Sequence, residues 1–118
     1  VHVDGVHYAA HASVDVTALG ADFFVCSPYK FFGPHCAVLV ADPALLETLH
    51  PDKLVPSSDR VPERFELGTL PYETLAGVTA AVEVIADLAP ATGEPGITRR
   101  ERLVAAHELI DRHETALR

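Results

Sequence analysis

Two short apolar runs, Phe23 to Cys26 and Ala37 to Val40, are joined by Ser27-Pro28-Tyr29-Lys30-Phe31-Phe32-Gly33-Pro34 and then His35-Cys36. Each run is too short for a core helix and rich in aromatic and β-branched residues, so each reads as a buried strand. So tight a return predicts antiparallel neighbours at one edge of a sheet. The turn carries a hydroxyl, a proline, a phenol and a lysine before it closes on Gly33-Pro34. Lys53, in a polar loop, is the only other lysine in the chain. A lysine on the lip of a buried strand is unusual, because burial disfavours the charged form. Either its ammonium snorkels to water along an apolar stem, or the amine is there to form a Schiff base with a carbonyl.

The 118 residues bound the chain to one domain at most, and the 48% of hydrophobic residues suffice for a core. A net charge of −8 argues against a nucleic-acid partner or an anionic membrane surface. No run of eighteen apolar residues occurs and no signal-peptide pattern is visible, so no membrane-spanning helix is expected. Cys26 and Cys36 flank the lysine turn without forming a disulfide framework, which points to a reducing, cytoplasmic setting. The chain opens on Val1 within a strand pattern, stops at Arg118 within a helical one and contains no methionine. It is therefore expected to be a piece of a longer protein.

In chain order, Val1-His2-Val3 reads as a strand ending at Asp4-Gly5. Val6 to Ala12 reads as a loop with a helical turn, and Asp15 as the cap of a short helix through Leu19 that Gly20 ends. The stretch from Gly5 to Asp22 is long enough for a crossover between parallel strands. Asp42 caps a helix expected over Pro43 to His50, with Pro43 in its first turn and Pro51 stopping it. Residues 51 to 64 read as loop, and Phe65 to Pro71 as an extended segment and turn. From Tyr72 the period is helical, with Leu75, Val78, Val82, Ile85 and Leu88 on one face up to Pro90. Ala91 to Gly96 reads as a linker. Thr98-Arg99-Arg100-Glu101 has capping-box spacing, and the helix it opens carries Leu103, Val104, Ile110 and Leu117. The class is α/β: three strands in one mixed sheet, flanked by helices. Two strands apolar on both faces predict cover on both sides, part of it from a second subunit or from elements outside this chain.

A cofactor such as pyridoxal phosphate needs an amine for its aldehyde, a carboxylate at its ring nitrogen and donors for its phosphate. Asp4 ends one strand and Lys30 follows the next, which in a parallel pair puts them at the same sheet edge, where α/β proteins bind ligands. Ser27, Tyr29 and Thr69 offer hydroxyls. The ordered motifs Val3-Asp4-Gly5-Val6-His7, Val14-Asp15-Val16 through Leu19-Gly20-Ala21-Asp22, Cys26 through Pro34, and Phe65-Glu66-Leu67-Gly68-Thr69 resemble the fold-type-I pyridoxal-phosphate enzymes of the class V aminotransferase group, and within it the cysteine desulfurase-like proteins.

The resemblance implies that residues 1–90 are the C-terminal part of a cofactor-binding large domain. It makes 91–97 a linker and 98–118 the start of a small C-terminal domain. It implies pyridoxal 5'-phosphate as cofactor, a small amino-acid substrate and a homodimer. Lys30 would bind the cofactor and shuttle the substrate's α-proton; Asp4 would pair with the pyridinium nitrogen. Val6 would pack beneath the ring, and His7 would lie near its phenolic oxygen. Ser27 and Tyr29 would hold the phosphate, and Thr69 would reach the phosphate of the neighbouring subunit. Tyr29 stands where desulfurases usually have histidine, and a tyrosine there resembles the kynureninases; Ala37 stands where the group generally has glycine. The Gly-rich phosphate cradle, the aromatic that stacks on the ring, the substrate-carboxylate arginine and the sulfur-accepting loop cysteine are not in this chain; Cys26 and Cys36 do not match that last position. Two other readings compete. Seven histidines with Asp4, Cys26 and Cys36 suggest metal binding, but no H-E-x-x-H or C-x-x-C spacing occurs. The chain can also be a truncated, non-catalytic remnant that keeps the Lys30 motif without a complete site.

Overall fold

The computed structural model describes residues 1–89 and 97–118. The linker expected at 91–97 therefore lies, apart from Ile97, outside the described residues. Strand β1 (His2–Asp4) pairs in parallel with β2 (Phe23–Cys26), and β2 pairs antiparallel with β3 (Val38–Ala41), in the order β1-β2-β3. This is the mixed three-stranded sheet the two apolar runs predict, with β3 shifted one residue along the expected run. In register, Asp4 lies beside Val25, and Val25 beside Leu39. Gly5 extends the parallel ladder by donating its N–H to the Val25 carbonyl at 2.9 Å.

The helix expected from Asp15 is a single turn. Asp15 Oδ1 accepts the N–H groups of Thr17 and Ala18 at 3.0 Å, as a cap does. Gly20, at φ +61°, then closes the turn, with Gly20 N–H donating to the Thr17 carbonyl and Ala21 N–H to that of Val16. A cap at one end and a left-handed glycine five residues later leave no room for helix propagation. The next helix, α1 (Pro43–Glu47), has Asp42 as its side-chain cap, as expected, but stops three residues short of His50. Thr48 Oγ1 donates to the Leu45 carbonyl at 2.7 Å, and Arg64 reaches back to the carbonyls of Glu47 and Leu49. These partners satisfy the carbonyls at the helix end before Pro51 is reached.

Helix α2 (Tyr72–Ala86) starts where the period predicts. Its buried residues are Ala81, Ile85 and Ala86, whereas Leu75 and Leu88, at the ends of the predicted face, are exposed. Helix α3 (Arg99–Ala116) carries the predicted capping box: Glu101 N–H donates to Thr98 Oγ1, and Thr98 N–H donates to Glu101 Oε2. Ala86 and Ala106 are fully buried, and such small side chains let α2 and α3 pack closely. Arg102 adds ion pairs to Glu83 at 3.1 Å and Asp87 at 2.7 Å, and Arg99 reaches Glu83 at 2.5 Å. The core of the described residues is Phe24 and Pro28 with Ala81, Ile85 and Ala86 of α2 and Ala106 of α3. The expected two-sided cover of the strands is not supplied by the described residues: Leu39 is 58% and Val40 40% exposed. No helix among the described residues is long and apolar enough to cross a membrane.

Candidate functional site

The sheet edge where β1 and β2 end carries two tight turns. After β1, Asp4 Oδ1 accepts the Val6 N–H at 3.0 Å, a local side-chain turn that orients the carboxylate. The chain then makes a 3₁₀ turn over Tyr8–Ala10. After β2, buried Pro28 opens a second 3₁₀ turn over Pro28–Phe31, and Lys30 N–H donates to the Ser27 carbonyl at 2.9 Å. This turn closes on Phe32 at φ +68° and on Gly33 N–H, which donates to the Pro28 carbonyl at 2.8 Å. The two 3₁₀ turns pack against each other.

Lys30 is exposed, the first of the two arrangements open to a lysine on the lip of a buried strand. Pro28 takes the buried position of the turn, and Lys30, two residues further round it, faces outward into an open cleft of about 810 Å³. Asp4, Val6, His7 and Lys30, four of the seven residues singled out above, line that one cleft. Tyr8, His11, Glu114 and Arg118 complete its wall. The charges are balanced, with Lys30 and Arg118 against Asp4 and Glu114. The donor set suits a small molecule carrying an aldehyde and a basic ring nitrogen. It offers an amine, and a carboxylate whose Oδ2 has no hydrogen-bond partner among the described residues.

The other three residues lie elsewhere. Ser27 Oγ donates to the Cys36 carbonyl at 3.4 Å. The Tyr29 ring stacks on His35 with centroids 4.1 Å apart and stays half-exposed. Thr69 lines a separate pocket with Ser57, Glu66, Gly68 and Tyr72. Cys26 and Cys36 are free thiols, and burial, with a smaller contribution from Cys36, pushes the Cys26 thiol above its ordinary range. The rings of His7 and His11 lie 4.7 Å apart, but no three His, Cys, Asp or Glu side chains gather into a metal site among the described residues.

Glu114 and Arg118 were not anticipated. They sit in what reads as a charged helix face, more than 100 residues from His11, with which Glu114 pairs at 2.7 Å. His7 and His11, four residues apart, lie on one wall of the cleft.

The family model for class V aminotransferases matches residues 1–95. The chain belongs to the class V aminotransferase family. Among its relatives is a cysteine desulfurase of Klebsiella pneumoniae subsp. pneumoniae, 36% identical over 101 residues that cover 75% of this chain and 25% of the relative. The aminotransferase-like protein FGM3 of Gibberella zeae is 52% identical over 42 residues, 36% of this chain and 10% of that protein. Among solved structures, the cysteine desulfurase CsdA (S-sulfonic acid) of Escherichia coli superposes with a TM-score of 0.64 at 27% identity, covering 86% of this chain and 26% of that one. This class V chain is thus cysteine desulfurase-like in sequence and fold, and spans about a quarter of the length of the cysteine desulfurases it matches.

Proposed function

We propose that the chain is the lysine-bearing part of a pyridoxal-phosphate-dependent enzyme that acts on a small amino-acid substrate, in the manner of the cysteine desulfurase-like members of its family. The observation that carries this reading is the presence of Lys30 and Asp4 on one cleft, in a class V sequence. Bound there, pyridoxal phosphate supplies a sink for the electron pair left on the substrate's Cα when its proton departs. Lys30 would contribute the amine that holds the group until the substrate's own amine displaces it, and the freed Nζ would then move the proton at the substrate's Cα. Asp4 keeps a proton on the pyridine nitrogen, and its orientation is set by the Val6 N–H. Val6 would pack against the ring, and His7 would meet its phenolic oxygen. Ser27 and Tyr29, which lie off the cleft wall, would have to turn toward the phosphate, Ser27 by giving up the Cys36 carbonyl, and Thr69 would serve the phosphate of a neighbouring subunit in a homodimer. The exposed Leu39 and Val40 support such an association, or cover by the rest of a longer protein. The two free thiols support a reducing, cytoplasmic setting.

The test is to add pyridoxal phosphate, reduce with borohydride, digest, and locate pyridoxyl groups by mass spectrometry, with Lys30→Ala as control. A label on Lys30 that Lys53 does not share is the expected result. Equal labelling of the two lysines, or none, overturns cofactor binding by this chain and leaves the non-catalytic remnant as the better reading.

A further inference from the structure

We propose that Glu114 is a positioning residue of the Lys30 cleft: from α3 it holds His11, and through His11 it sets the ring of His7. His11 Nδ1 lies 2.7 Å from Glu114 Oε1. A carboxylate only accepts, so Nδ1 carries the hydrogen and the imidazole is fixed in tautomer and in plane. His7 and His11 flank the Tyr8–Ala10 turn at helical spacing, with His11 N–H donating to the Tyr8 carbonyl at 3.0 Å. Their rings lie 4.7 Å apart and tilted by 57°, close enough for the plane held at His11 to bear on that of His7. That turn packs on the Pro28–Phe31 turn that carries Lys30. The remaining charged or titratable groups on the wall are Asp4, Tyr8, Lys30 and Arg118, and Arg118 reaches the far carboxylate oxygen of Glu114 at 4.0 Å.

The pair is part-exposed, with side chains 41% and 31% accessible, and such an ion pair contributes little to stability. What it contributes is orientation, because it ties the last helix to the cleft wall across 103 residues of chain. The effect on Lys30 rests on the reading of the cleft as a cofactor site; the effect on His7 does not.

The test follows the histidine ring signals of the 118-residue chain by NMR in wild type, Glu114→Ala, Glu114→Gln and His11→Asn. Glu108→Gln, on an exposed acid of the same helix, is the control. Glu114→Ala is expected to move the ring signals of both His11 and His7. Glu114→Gln, which keeps an oxygen acceptor, is expected to retain them near wild type, as is the control. His11→Asn is expected to move those of His7, and it carries the test should Glu114→Ala fail to fold. In the borohydride assay, the ratio of Lys30 to Lys53 labelling is expected to fall by about threefold or more in Glu114→Ala and to recover in Glu114→Gln. His7 signals unmoved by Glu114→Ala or by His11→Asn overturn the proposal, as does a Glu114→Gln chain that behaves like Glu114→Ala. Equal labelling of both lysines in wild type counts against the cofactor reading alone, and the ring signals still decide the role of Glu114.

Discussion

The ring of Phe24 occupies the space that a side chain on residue 5 would need. Gly5 is buried and carries the last bond of the parallel ladder, between Asp4, which it follows, and Val6. Its lack of a Cβ is what lets Phe24, 3% exposed, fill the core. Gly5→Ala is expected to destabilise the chain by about 1–3 kcal/mol through overpacking. Combined with Phe24→Leu it should cost less than the two single changes together. Denaturant midpoints of the three variants check this, and strict additivity would show that the Phe24 ring does not set the limit.

Arg64 ties the 51–64 loop to the end of α1. Its Nε donates to the Asp59 carbonyl at 2.7 Å, its Nη1 to the Leu49 carbonyl at 3.2 Å, and its Nη2 pairs with Glu47 at 3.1 Å. Arg64→Ala is expected to cost about 2 kcal/mol, since several charge-assisted bonds go at once. Arg64→Lys should recover less than about half of that, because an ammonium cannot reproduce the planar fork. Thermal unfolding, together with the rate of proteolytic cleavage within residues 51–64, reads out both.

The capping box of α3 gives a pH dependence of definite sign. The Thr98 backbone N–H, and after it the Thr98 hydroxyl, holds the Glu101 carboxyl below its ordinary range. A carboxylate depressed in the folded chain contributes stability that is present above its unfolded pKa and is lost as the pH falls through the folded value. Glu101→Gln removes the titration but keeps an acceptor, so the wild type is expected to be the more stable above the ordinary glutamate range. The difference should close in acid. Thr98→Ala is expected to cost about 1 kcal/mol at neutral pH. Helical circular dichroism through a denaturant series at several pH values checks both statements.

Burial pushes the Cys26 thiol up, with Cys36 adding to the shift, so little thiolate is present at pH 8. Alkylation of Cys26 by iodoacetamide at that pH is expected to be slower than that of cysteine in an unstructured peptide, and to accelerate as the pH rises. Cys36→Ser should raise the rate by removing the smaller of the two causes. A rate at pH 8 equal to that of the peptide would contradict the burial of the thiol.

Much of the secondary structure is written in local chemistry. Phe23 to Cys26 announces a strand by side-chain type, and Asp42 and Thr98 announce helix starts because a capping side chain bonds N–H groups within three residues of itself. The reading departs from the structure where a helix start meets a second group that ends it. Asp15 caps a turn that Gly20 closes at once, and α1 ends early because Arg64, seventeen residues beyond Glu47, takes part in satisfying its last carbonyls. Of the candidate site, the ordered motifs single out Lys30, Asp4, Val6 and His7, which line the cleft, and Ser27, Tyr29 and Thr69, which do not.

By itself, the sequence determined the strands, the helix starts and the turn that carries Lys30, since each depends on residues a few positions apart, and the class V family, since its motifs follow one another in order along the chain. Tertiary structure alone decided that Lys30 stands exposed while Pro28 is buried, that Phe24 needs a glycine at position 5, and that Glu114 meets His11. Burial and pairing of this kind depend on which distant segments pack together, and the periodicity of a single segment carries no record of its partner.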